Sequence, residues 1–381
     1  MKNKLHILFI CGWYPSRVLP NNGDFIQRHA NAVSKQHKVS TLHIITDKNS
    51  KKNIELVIRK KEHVHEYIAY VTQTKNPVKK AYLFLKSFIK ILHKIDAFDI
   101  IHLNEIYPFG IFSVYLKWFY KKPFIISEHF TGYHHPFAKN ISINRKLISK
   151  IITKNAAFIC PVSEDLKNSL LNLGFKGNYK IVPNVVDTKI FYPIENTSNA
   201  FKIVHISNMI NKHKNIKGIL RVVKQIQDEI SNLEFMMIGN NSEEYINYAK
   251  ELNLDFSKIK FISQIEHYKV AKEIRTSNLF VLFSNYENLP CVILEAFSCG
   301  IPVISTNVGG IKEYFPKDFG KLISIKDEDE LAKQILLFYN NFVPNKTKMH
   351  QYTIDNFSEE KITSDFEKLY LKTLNISSET N

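Results

Sequence analysis

Short apolar segments alternate with amphipathic segments of helical length, and this alternation runs twice along the chain. The apolar runs predict strands at residues 5–12, 39–46, 99–104, 124–128 and 157–162, and again at 201–207, 234–239, 260–263, 279–284 and 302–306. The amphipathic runs predict helices at residues 24–36, 78–95, 163–173, 216–230, 243–252, 267–276 and 290–299. Two such series predict two α/β domains, each a parallel sheet with helices on both faces.

A polar break separates the two series. Residues 188–200 contain Pro193 and a run of polar residues from Glu195 to Asn199, which predict a linker. We therefore expect an N-terminal domain over residues 1–187, a C-terminal domain over 201–355, and a C-terminal helix with a polar tail over 356–381. A chain of 381 residues is long enough for two separate cores.

The apolar segments and the cysteines predict the compartment. No segment reaches the ~18 consecutive apolar residues of a membrane span, and residues 5–12 are better explained as a buried strand than as a signal peptide. The cysteines lie in apolar runs without metal-binding spacing, which predicts buried thiols in a reducing compartment; they are Cys11, Cys160, Cys291 and Cys299. We therefore expect a soluble cytoplasmic protein.

The positive charge belongs to the first half of the chain. Residues 1–187 hold 29 lysines and arginines against 12 aspartates and glutamates, whereas residues 188–381 hold 23 against 24. Such asymmetry is typical of a domain with an anionic partner, either nucleic acid or an acidic membrane surface. A lysine-rich solubilising surface produces the same asymmetry, and composition does not choose among the three.

One segment combines the boundaries of a strand–loop–helix–strand unit with two carboxylates. Residues 284–303 have the sequence SNYENLPCVILEAFSCGIPV, in which Asn288 can cap a helix and Pro290 suits its first turn. Glu287 lies in the loop before this helix, and Glu295 lies inside it. Ligands of open parallel sheets bind beyond the carboxyl ends of the strands, so we expect chemistry at this loop.

This segment resembles the E-x7-E signature of the retaining family-4 glycosyltransferases, which have the two-domain GT-B fold. Further similarities follow in order along the chain: GWYPS at 12–16, GDF at 23–25, SEH at 127–129, VSE at 162–164, VPNVVD at 182–187 and NVGGIKE at 307–313. The resemblance implies two Rossmann-like domains that face each other across a cleft. It also implies a C-terminal helix that crosses back to the first domain.

The resemblance implies a reaction as well. A sugar would pass, with retention at the anomeric carbon, from a UDP- or GDP-sugar bound by the C-terminal domain to a saccharide acceptor held by the N-terminal domain. The acceptor would be a lipid-linked saccharide of cell-surface polysaccharide, lipopolysaccharide or capsule synthesis. The nucleotide-sugar is a substrate, so no cofactor is implied. We expect reaction on one face of the sugar through an oxocarbenium-like state without a carboxylate nucleophile.

Residue roles follow from the same motif. Glu295 would hold the ribose hydroxyls of the donor, and Glu287 would contact hydroxyls of the transferred sugar. The backbone N–H groups near Asn288 and Leu289, with the helix that begins at Pro290, would face the sugar and the diphosphate. Loop and helix together would form an anion site.

Further positions correspond to other family motifs. Lys214 matches a phosphate-binding lysine, but Ser207 or Asn208 stands where the family has an arginine, and about one residue is inserted before Lys214. Asn208 is our candidate donor contact in this loop. Gly23 would let the backbone approach a phosphate or sugar, and His129 matches a histidine near the transferred sugar.

The sequence predicts no metal site. The triplet Asp327-Glu328-Asp329 precedes an apolar helical run, which is typical of a helix cap and first turn rather than of a metal-binding DxD motif. The adjacent His134 and His135 would point apart on extended backbone. We therefore expect transfer without a metal, with Lys214 and the helix N-terminus balancing the diphosphate charge.

Two other functions stay open at this point. A sugar-nucleotide epimerase can share the fold, and a nucleic-acid-binding protein would use the basic half, although no RNA- or DNA-binding motif is present. The predicted helix at 78–95 places Lys86, Lys90 and Lys94 on one stripe beside a broad apolar face. That arrangement suits binding to an anionic membrane surface, unless the domain core uses the whole apolar face. We therefore expect an anionic membrane surface, and no nucleic acid, as the partner.

Overall fold

A computed structural model describes residues 4–379, with side-chain environments through residue 375. The chain forms two compact units: residues up to Val185 together with those from Glu359 onward form the first, and Val186–Ser358 form the second. The C-terminal helix therefore belongs to the first unit, as the resemblance implied. Residues 188–200, which the sequence predicts as a linker, belong to the second unit.

The first unit contains a seven-stranded sheet with the strand order β3-β4-β2-β1-β5-β6-β7. The strands are β1 (His6–Cys11), β2 (Lys38–Asp47), β3 (Ile54–Lys61), β4 (Val64–Thr72), β5 (Ile100–Asn104), β6 (Phe124–Glu128) and β7 (Phe158–Pro161). All neighbouring pairs are parallel except β3 and β4, which form an antiparallel hairpin at the edge. The expectation of a wholly parallel sheet was wrong at this edge, where β3 is half exposed and carries a polar end.

The second unit contains a six-stranded, wholly parallel sheet with the order β10-β9-β8-β11-β12-β13. Its strands are β8 (Phe201–Ile206), β9 (Leu233–Ile238), β10 (Ile259–Ile262), β11 (Leu279–Leu282), β12 (Val303–Thr306) and β13 (Gly320–Ile323). This is the Rossmann strand order, and the order reverses between β8 and β11. The loops that follow these two strands therefore meet at the switch point, where ligands of such sheets bind.

Helices cover both sheets. They are α1 (Asp24–Ser34), α2 (Pro77–Leu92), α3 (Gly110–Tyr120), α4 (Ile143–Asn155), α5 (Glu164–Asn172), α6 (Asn211–Lys214), α7 (Ile216–Ile226), α8 (Ile246–Glu251), α9 (His267–Arg275), α10 (Cys291–Ser298), α11 (Glu328–Asn341), α12 (Lys346–Phe357) and α13 (Glu359–Glu379). None of the described helices is long and apolar enough to cross a membrane. Since α2 ends at Leu92, Lys94 lies outside it and the predicted lysine stripe is one residue shorter.

Each sheet carries its own apolar core. In the first unit, Phe366 and Tyr370 of α13 are fully buried among the strand residues, and the Tyr370 hydroxyl lies 2.7 Å from Nδ1 of His102 on β5. In the second unit, α7 buries an apolar face against the sheet. Three of the cysteines are buried as expected, whereas Cys291 is partly exposed because it begins α10.

Candidate active site

The two loops at the switch point of the second sheet are bonded to each other. The backbone N–H of Asn285, in the loop after β11, donates to the His213 carbonyl at 2.7 Å, and its side-chain amide donates to the Lys212 carbonyl at 3.1 Å. The Thr306 hydroxyl at the end of β12 donates to the Ser284 carbonyl at 2.6 Å. Segments predicted from separate motifs therefore form one surface.

Glu287 and Lys214 form an ion pair on this surface. The side chains are 9% and 15% exposed, and the Ser284 hydroxyl donates a second hydrogen bond, of 2.7 Å, to Oε1 of Glu287. A carboxylate this buried needs such partners, because an unpaired charge away from water is costly. The pair places a carboxylate and an ammonium group side by side in the loops at the switch point.

The loop before α10 is supported from below by the loop after β12. The backbone N–H of Gly310 donates to the Asn288 carbonyl at 2.9 Å. Gly309 has φ 56°, and a Cβ there would lie 2.9 Å from the carbonyl carbon of Glu287 and closer still to its oxygen. Only a glycine allows this approach, so the position of Glu287 depends on Gly309.

Helix α10 begins one residue later than predicted. Pro290 has extended backbone with ψ 121°, so the N-cap is Pro290 and the expected capping role of Asn288 was wrong. Asn288 and Leu289 are buried in the loop, and Pro290 is partly buried. The aligned peptide dipoles of α10 still give this end of the helix its partial positive charge.

Glu295 lies inside α10 and is 1% exposed. Its Oε1 accepts a hydrogen bond of 2.9 Å from Nε2 of His267, the first residue of α9, whose ring packs on Phe191 with centroids 4.9 Å apart. The lone carboxylate that the sequence places in an apolar helix thus has a neighbouring partner. Sequence reasoning missed His267, because no motif connects it to residue 295.

The loop after β8 contains no arginine. Asn208 is exposed and its Oδ1 accepts from the Ile210 backbone at 3.3 Å, whereas the Ser207 hydroxyl is used within the turn by His205 and by the Met209 backbone. Burial, reinforced by the charge of Lys214, lowers the pKa of His213. The cationic character of this loop therefore rests on its lysines.

Gly23 and His129 belong to the first unit, at the carboxyl ends of β1 and β6. Gly23 precedes α1 with φ 74°, and a Cβ there would lie 2.6 Å from the carbonyl carbon of Trp13. Helix α1 brings Phe25 and His29 against His129, with ring centroids 4.6 and 5.6 Å apart. Burial lowers the pKa of His129 well below its ordinary value, so the imidazole is neutral.

The acidic triplet at 327–329 is a helix cap, because the Asp327 side chain accepts from the Glu330 backbone at 3.1 Å at the start of α11. Among the side chains that the structure describes, through residue 375, no three His, Cys, Asp or Glu are grouped to hold a metal ion. Transfer without a metal stays a prediction.

Two family models together match most of the chain. The model described as glycosyl transferases group 1 matches residues 188–356, which include the whole loop–helix unit around Glu287 and Glu295. The model described as Glycosyltransferase Family 4 matches residues 25–190. The chain belongs to glycosyltransferase family 4. The expectation drawn from the E-x7-E segment is confirmed at the level of the family.

Two relatives show how this glycosyltransferase compares with curated proteins. N-acetyl-alpha-D-glucosaminyl L-malate synthase of Bacillus anthracis is 26% identical over 208 residues, which are 51% of this chain and 53% of that protein. An uncharacterized glycosyltransferase of Methanocaldococcus jannaschii is 26% identical over 365 residues, 93% of this chain and 96% of that protein. The match thus spans about half the length of the first relative and nearly all of the second.

A solved structure shares the fold of the glycosyltransferase. Anabaena HepE in complex with UDP-glucose has a TM-score of 0.73 and 14% sequence identity, with 97% of this chain and 100% of that chain covered. The GT-B fold expected from the motifs is therefore confirmed.

Proposed function

We propose that this glycosyltransferase moves a sugar from a UDP- or GDP-sugar to a saccharide acceptor with retention at the anomeric carbon. The observation that carries the proposal is the pair of buried carboxylates, Glu287 and Glu295, held on one loop–helix unit at the switch point. The HepE structure contains UDP-glucose, which supports a nucleotide-sugar as the donor class.

Glu295 is proposed to bind the ribose of the donor. A carboxylate accepts two hydrogen bonds from a vicinal diol, and the bond from His267 fixes the orientation of this one. Because Glu295 is nearly dry, a hydrogen bond to it is stronger than the same bond in water. The loss of this carboxylate should therefore weaken the binding of the donor.

Glu287 and Lys214 are proposed to act on the transferred sugar and the diphosphate. Glu287 would hold sugar hydroxyls, while Lys214 and the first turn of α10 would stabilise the negative charge that develops on the leaving diphosphate. His129 is neutral, so in this proposal it contributes a hydrogen bond to the transferred sugar rather than a charge. The reaction would take place on one face, without a covalent intermediate.

Substitution separates these roles. Glu295→Ala should raise the dissociation constant of the nucleotide-sugar by about 10-fold or more, whereas Glu287→Ala should mainly lower kcat. Asp318→Ala, at a half-exposed ion pair elsewhere in the second unit, is the control and should change neither. Isothermal titration and steady-state kinetics, preceded by a thermal-shift screen of UDP- and GDP-sugars, make the measurement. Full activity in both variants would remove the basis of the proposal.

An epimerase of the same fold would behave differently. It would interconvert the sugar of the nucleotide-sugar without any acceptor, which a product analysis by NMR detects. A transferase releases the nucleoside diphosphate as it forms a new glycosidic bond. Finding only an epimerised nucleotide-sugar would favour the alternative.

We also propose that no metal ion takes part. Lys214 and the α10 N-terminus supply positive charge where metal-dependent enzymes place a divalent cation. Transfer should continue at the same rate in excess EDTA. Loss of activity on chelation with recovery on adding magnesium or manganese would contradict this.

The acceptor is proposed to be lipid-linked and to be met at the cytoplasmic face of a membrane, in the synthesis of a surface polysaccharide, lipopolysaccharide or capsule. Helices α2, α3 and α4 of the first unit carry nine lysines and arginines and no aspartate or glutamate. They are neighbours, since Phe88 of α2 stacks on Phe112 of α3 at 4.1 Å, and Trp118 of α3 donates to the Asn155 side chain of α4 at 3.2 Å.

Large apolar side chains protrude between these charges. On α2 the core takes Leu83, Phe88 and Ile91, so part of the predicted apolar face is used internally. Many large apolar side chains of the three helices stay exposed. They include Val78, Tyr82, Leu85, Ile89, Ile111, Tyr115, Trp118, Phe119, Ile143, Leu147 and Ile151. Exposed aromatic and aliphatic groups among lysines suit the interface of an anionic bilayer.

Vesicle flotation tests the membrane proposal. Binding to anionic vesicles should exceed binding to neutral vesicles and should weaken with salt. The double change Trp118→Ser and Phe119→Ser should reduce it, whereas Val343→Ser, at a residue 89% exposed in the second unit, should not. Equal, salt-insensitive behaviour on both lipids would contradict the proposal, and salt-sensitive RNA binding without vesicle binding would favour the nucleic-acid alternative.

A further inference from the structure

A cavity of about 240 Å³ lies at the carboxyl ends of β1, β5 and β6 in the first unit. Aromatic side chains form much of its wall: Trp13, Tyr107, Phe130 and Tyr133. The rings pack edge to face, with Trp13 and Phe130 centroids 6.0 Å apart and Phe130 and Tyr133 centroids 5.1 Å apart. The wall is therefore rigid and offers flat apolar surface.

The carboxyl group of Glu105 lines this cavity, and one of its two oxygens has no hydrogen-bond partner in the described part of the chain. Glu105 is 4% exposed, and its buried Oε1 accepts no hydrogen bond from any residue in the described part of the chain. Leaving such an atom unsatisfied destabilises the folded state. A core position would be filled more stably by an apolar side chain, so packing does not explain this glutamate.

The backbone around Glu105 is strained as well. Its φ is 73°, a left-handed conformation that a glutamate adopts rarely and that costs conformational energy. Opposite it, a Cβ at Gly12 would lie 2.5 Å from Oε2 of Glu105, so the glycine leaves the room that the carboxyl occupies. Strain that the surrounding structure maintains at a cavity points to a function.

The second carboxyl group at the cavity is used differently. Glu128 accepts backbone hydrogen bonds from Ile106, His129 and Phe130 at 2.8–2.9 Å, so it holds the loops in place. Burial raises the pKa of Glu128, and these backbone hydrogen bonds and the charge of Arg145, whose guanidinium lies 4.5 Å from the Phe130 ring centroid, oppose that rise. The opposite charges of Glu128 and Arg145 therefore face each other at the cavity wall. Among the described residues, Arg145 Nε and the Tyr133 hydroxyl also lack a hydrogen-bond partner, so together with Glu105 they are available to a ligand.

The chemistry of Glu105 follows from this environment. Burial and the nearby Glu128 raise the pKa of Glu105 well above its ordinary value, against the smaller opposing effect of Arg145, and this favours the protonated carboxyl. A protonated carboxyl both donates and accepts a hydrogen bond, which matches a hydroxyl group. Aromatic faces contact the apolar face of a sugar ring. Because Arg145 and Glu128 place opposite charges on the cavity wall, an anionic substituent would lose its hydration there without gaining a net positive charge.

We propose that this cavity binds an uncharged sugar ring of the acceptor, and that the Glu105 carboxyl hydrogen-bonds one of its hydroxyls. The inference rests on the proposed function and adds the residues and the charge class of the acceptor. It makes Glu105 a specificity residue that sequence motifs do not mark.

Saturation-transfer NMR on the full chain, with methyl glycosides of glucose, galactose, mannose and N-acetylglucosamine, tests whether the cavity binds a sugar ring. Methyl glucuronide serves as the anionic counterpart of the glucoside. At least one neutral glycoside should bind more tightly than the glucuronide. Glu105→Leu should weaken its binding by about 10-fold or more while the melting temperature stays equal or rises, because an unsatisfied polar group is removed. Glu105→Gln, which keeps a donor and an acceptor, should bind within about 3-fold of the wild type.

Glu62→Leu is the matched control. Glu62 is also a glutamate with positive φ, 53°, in the same unit, but it is exposed in the turn between β3 and β4. The Glu62→Leu variant should bind the glycosides as tightly as the wild type does. Wild-type binding by Glu105→Leu, tighter binding of the glucuronide, or no binding of any neutral glycoside would each overturn the inference. Failure to bind any nucleotide-sugar would overturn the proposed function instead, because the donor is assigned to the second unit.

Discussion

Gly309 provides a sharp test of whether the position of the Glu287 loop controls activity. The residue follows β12 with φ 56°, and it lies directly under the loop before α10. In Gly309→Ala the new Cβ would meet the carbonyl carbon of Glu287 at 2.9 Å and the carbonyl oxygen of Asn288 at 3.0 Å. Both atoms are backbone, so the contact cannot be relieved by a side-chain rotation.

Two effects of Gly309→Ala have to be separated, a loss of stability and a loss of activity. The left-handed backbone costs an alanine about 1–2 kcal/mol, which lowers stability but leaves the site in place. Relief of the overlap requires the loop at Glu287 to move by roughly 1 Å, and a displacement of that size at a reacting group costs about 100-fold in rate. We therefore expect kcat/KM to fall about 100-fold in Gly309→Ala, far more than the stability loss explains.

Gly174→Ala separates the two effects. Gly174 has φ 78°, but the nearest atoms to a Cβ there are Cε and Nζ of Lys150, at 3.1 Å, which can move aside. This variant carries the backbone cost in the first unit without displacing the loop. Urea unfolding measures the stability of both variants, and initial-rate kinetics with the nucleotide-sugar measures activity. If the two alanine variants have the same kcat/KM, the loop is not held in its working position by Gly309, and the reasoning is refuted.

Two further predictions concern histidines. Burial lowers the pKa of His29, His43 and His205 to about 4, whereas in the unfolded chain these groups titrate near 6.5, so the unfolded state binds more protons between those values. The free energy of unfolding should therefore be constant above about pH 7. It should fall by roughly 1.4 kcal/mol per pH unit for each histidine as the pH drops from 6.5 towards 4. Urea unfolding at pH 7.5 and at pH 5 measures this difference, and equal stabilities at the two pH values would contradict the prediction. The second change, His267→Asn, removes the ring that orients Glu295, so it should raise KM for the nucleotide-sugar about 5- to 10-fold with little change in kcat. A fall in kcat alone, at unchanged KM, would show that His267 does not act through Glu295.

The sequence predicted most of the strands and missed the hairpin of β3 and β4 and the edge strand β13. Strands such as β1 and β11 are largely apolar runs, because both faces of the sheet are covered by helices. The hairpin of β3 and β4 lacks that signal at its outer strand, where half of the residues are exposed. Its turn also lacks a glycine, since Glu62 takes the positive φ. Hairpins of this kind do not appear in a search for turn residues.

The site was predictable to the extent that its residues lie in one segment. Glu287 and Glu295 share a loop–helix unit, and their spacing is visible in the sequence. The partners of these carboxylates come from distant segments: Lys214 was found through its own motif, whereas His267 was found only in the structure. Pairing across the fold depends on strand order, which a single sequence encodes too weakly to read.

Glu295 and Glu105 show why burial of a carboxylate has to be interpreted together with its partners. Glu295 is 1% exposed and bonded to His267, and this favours an oriented acceptor for a diol. Glu105 is 4% exposed, strained and without a partner at Oε1, and this favours a neutral group that completes its hydrogen bonds only with a ligand. The same residue type at nearly the same burial therefore predicts opposite effects on stability. Replacement of Glu295 by leucine should destabilise the protein, because His267 loses its hydrogen-bond partner. Replacement of Glu105 by leucine should not destabilise it. Thermal unfolding of the two leucine variants compares these effects directly.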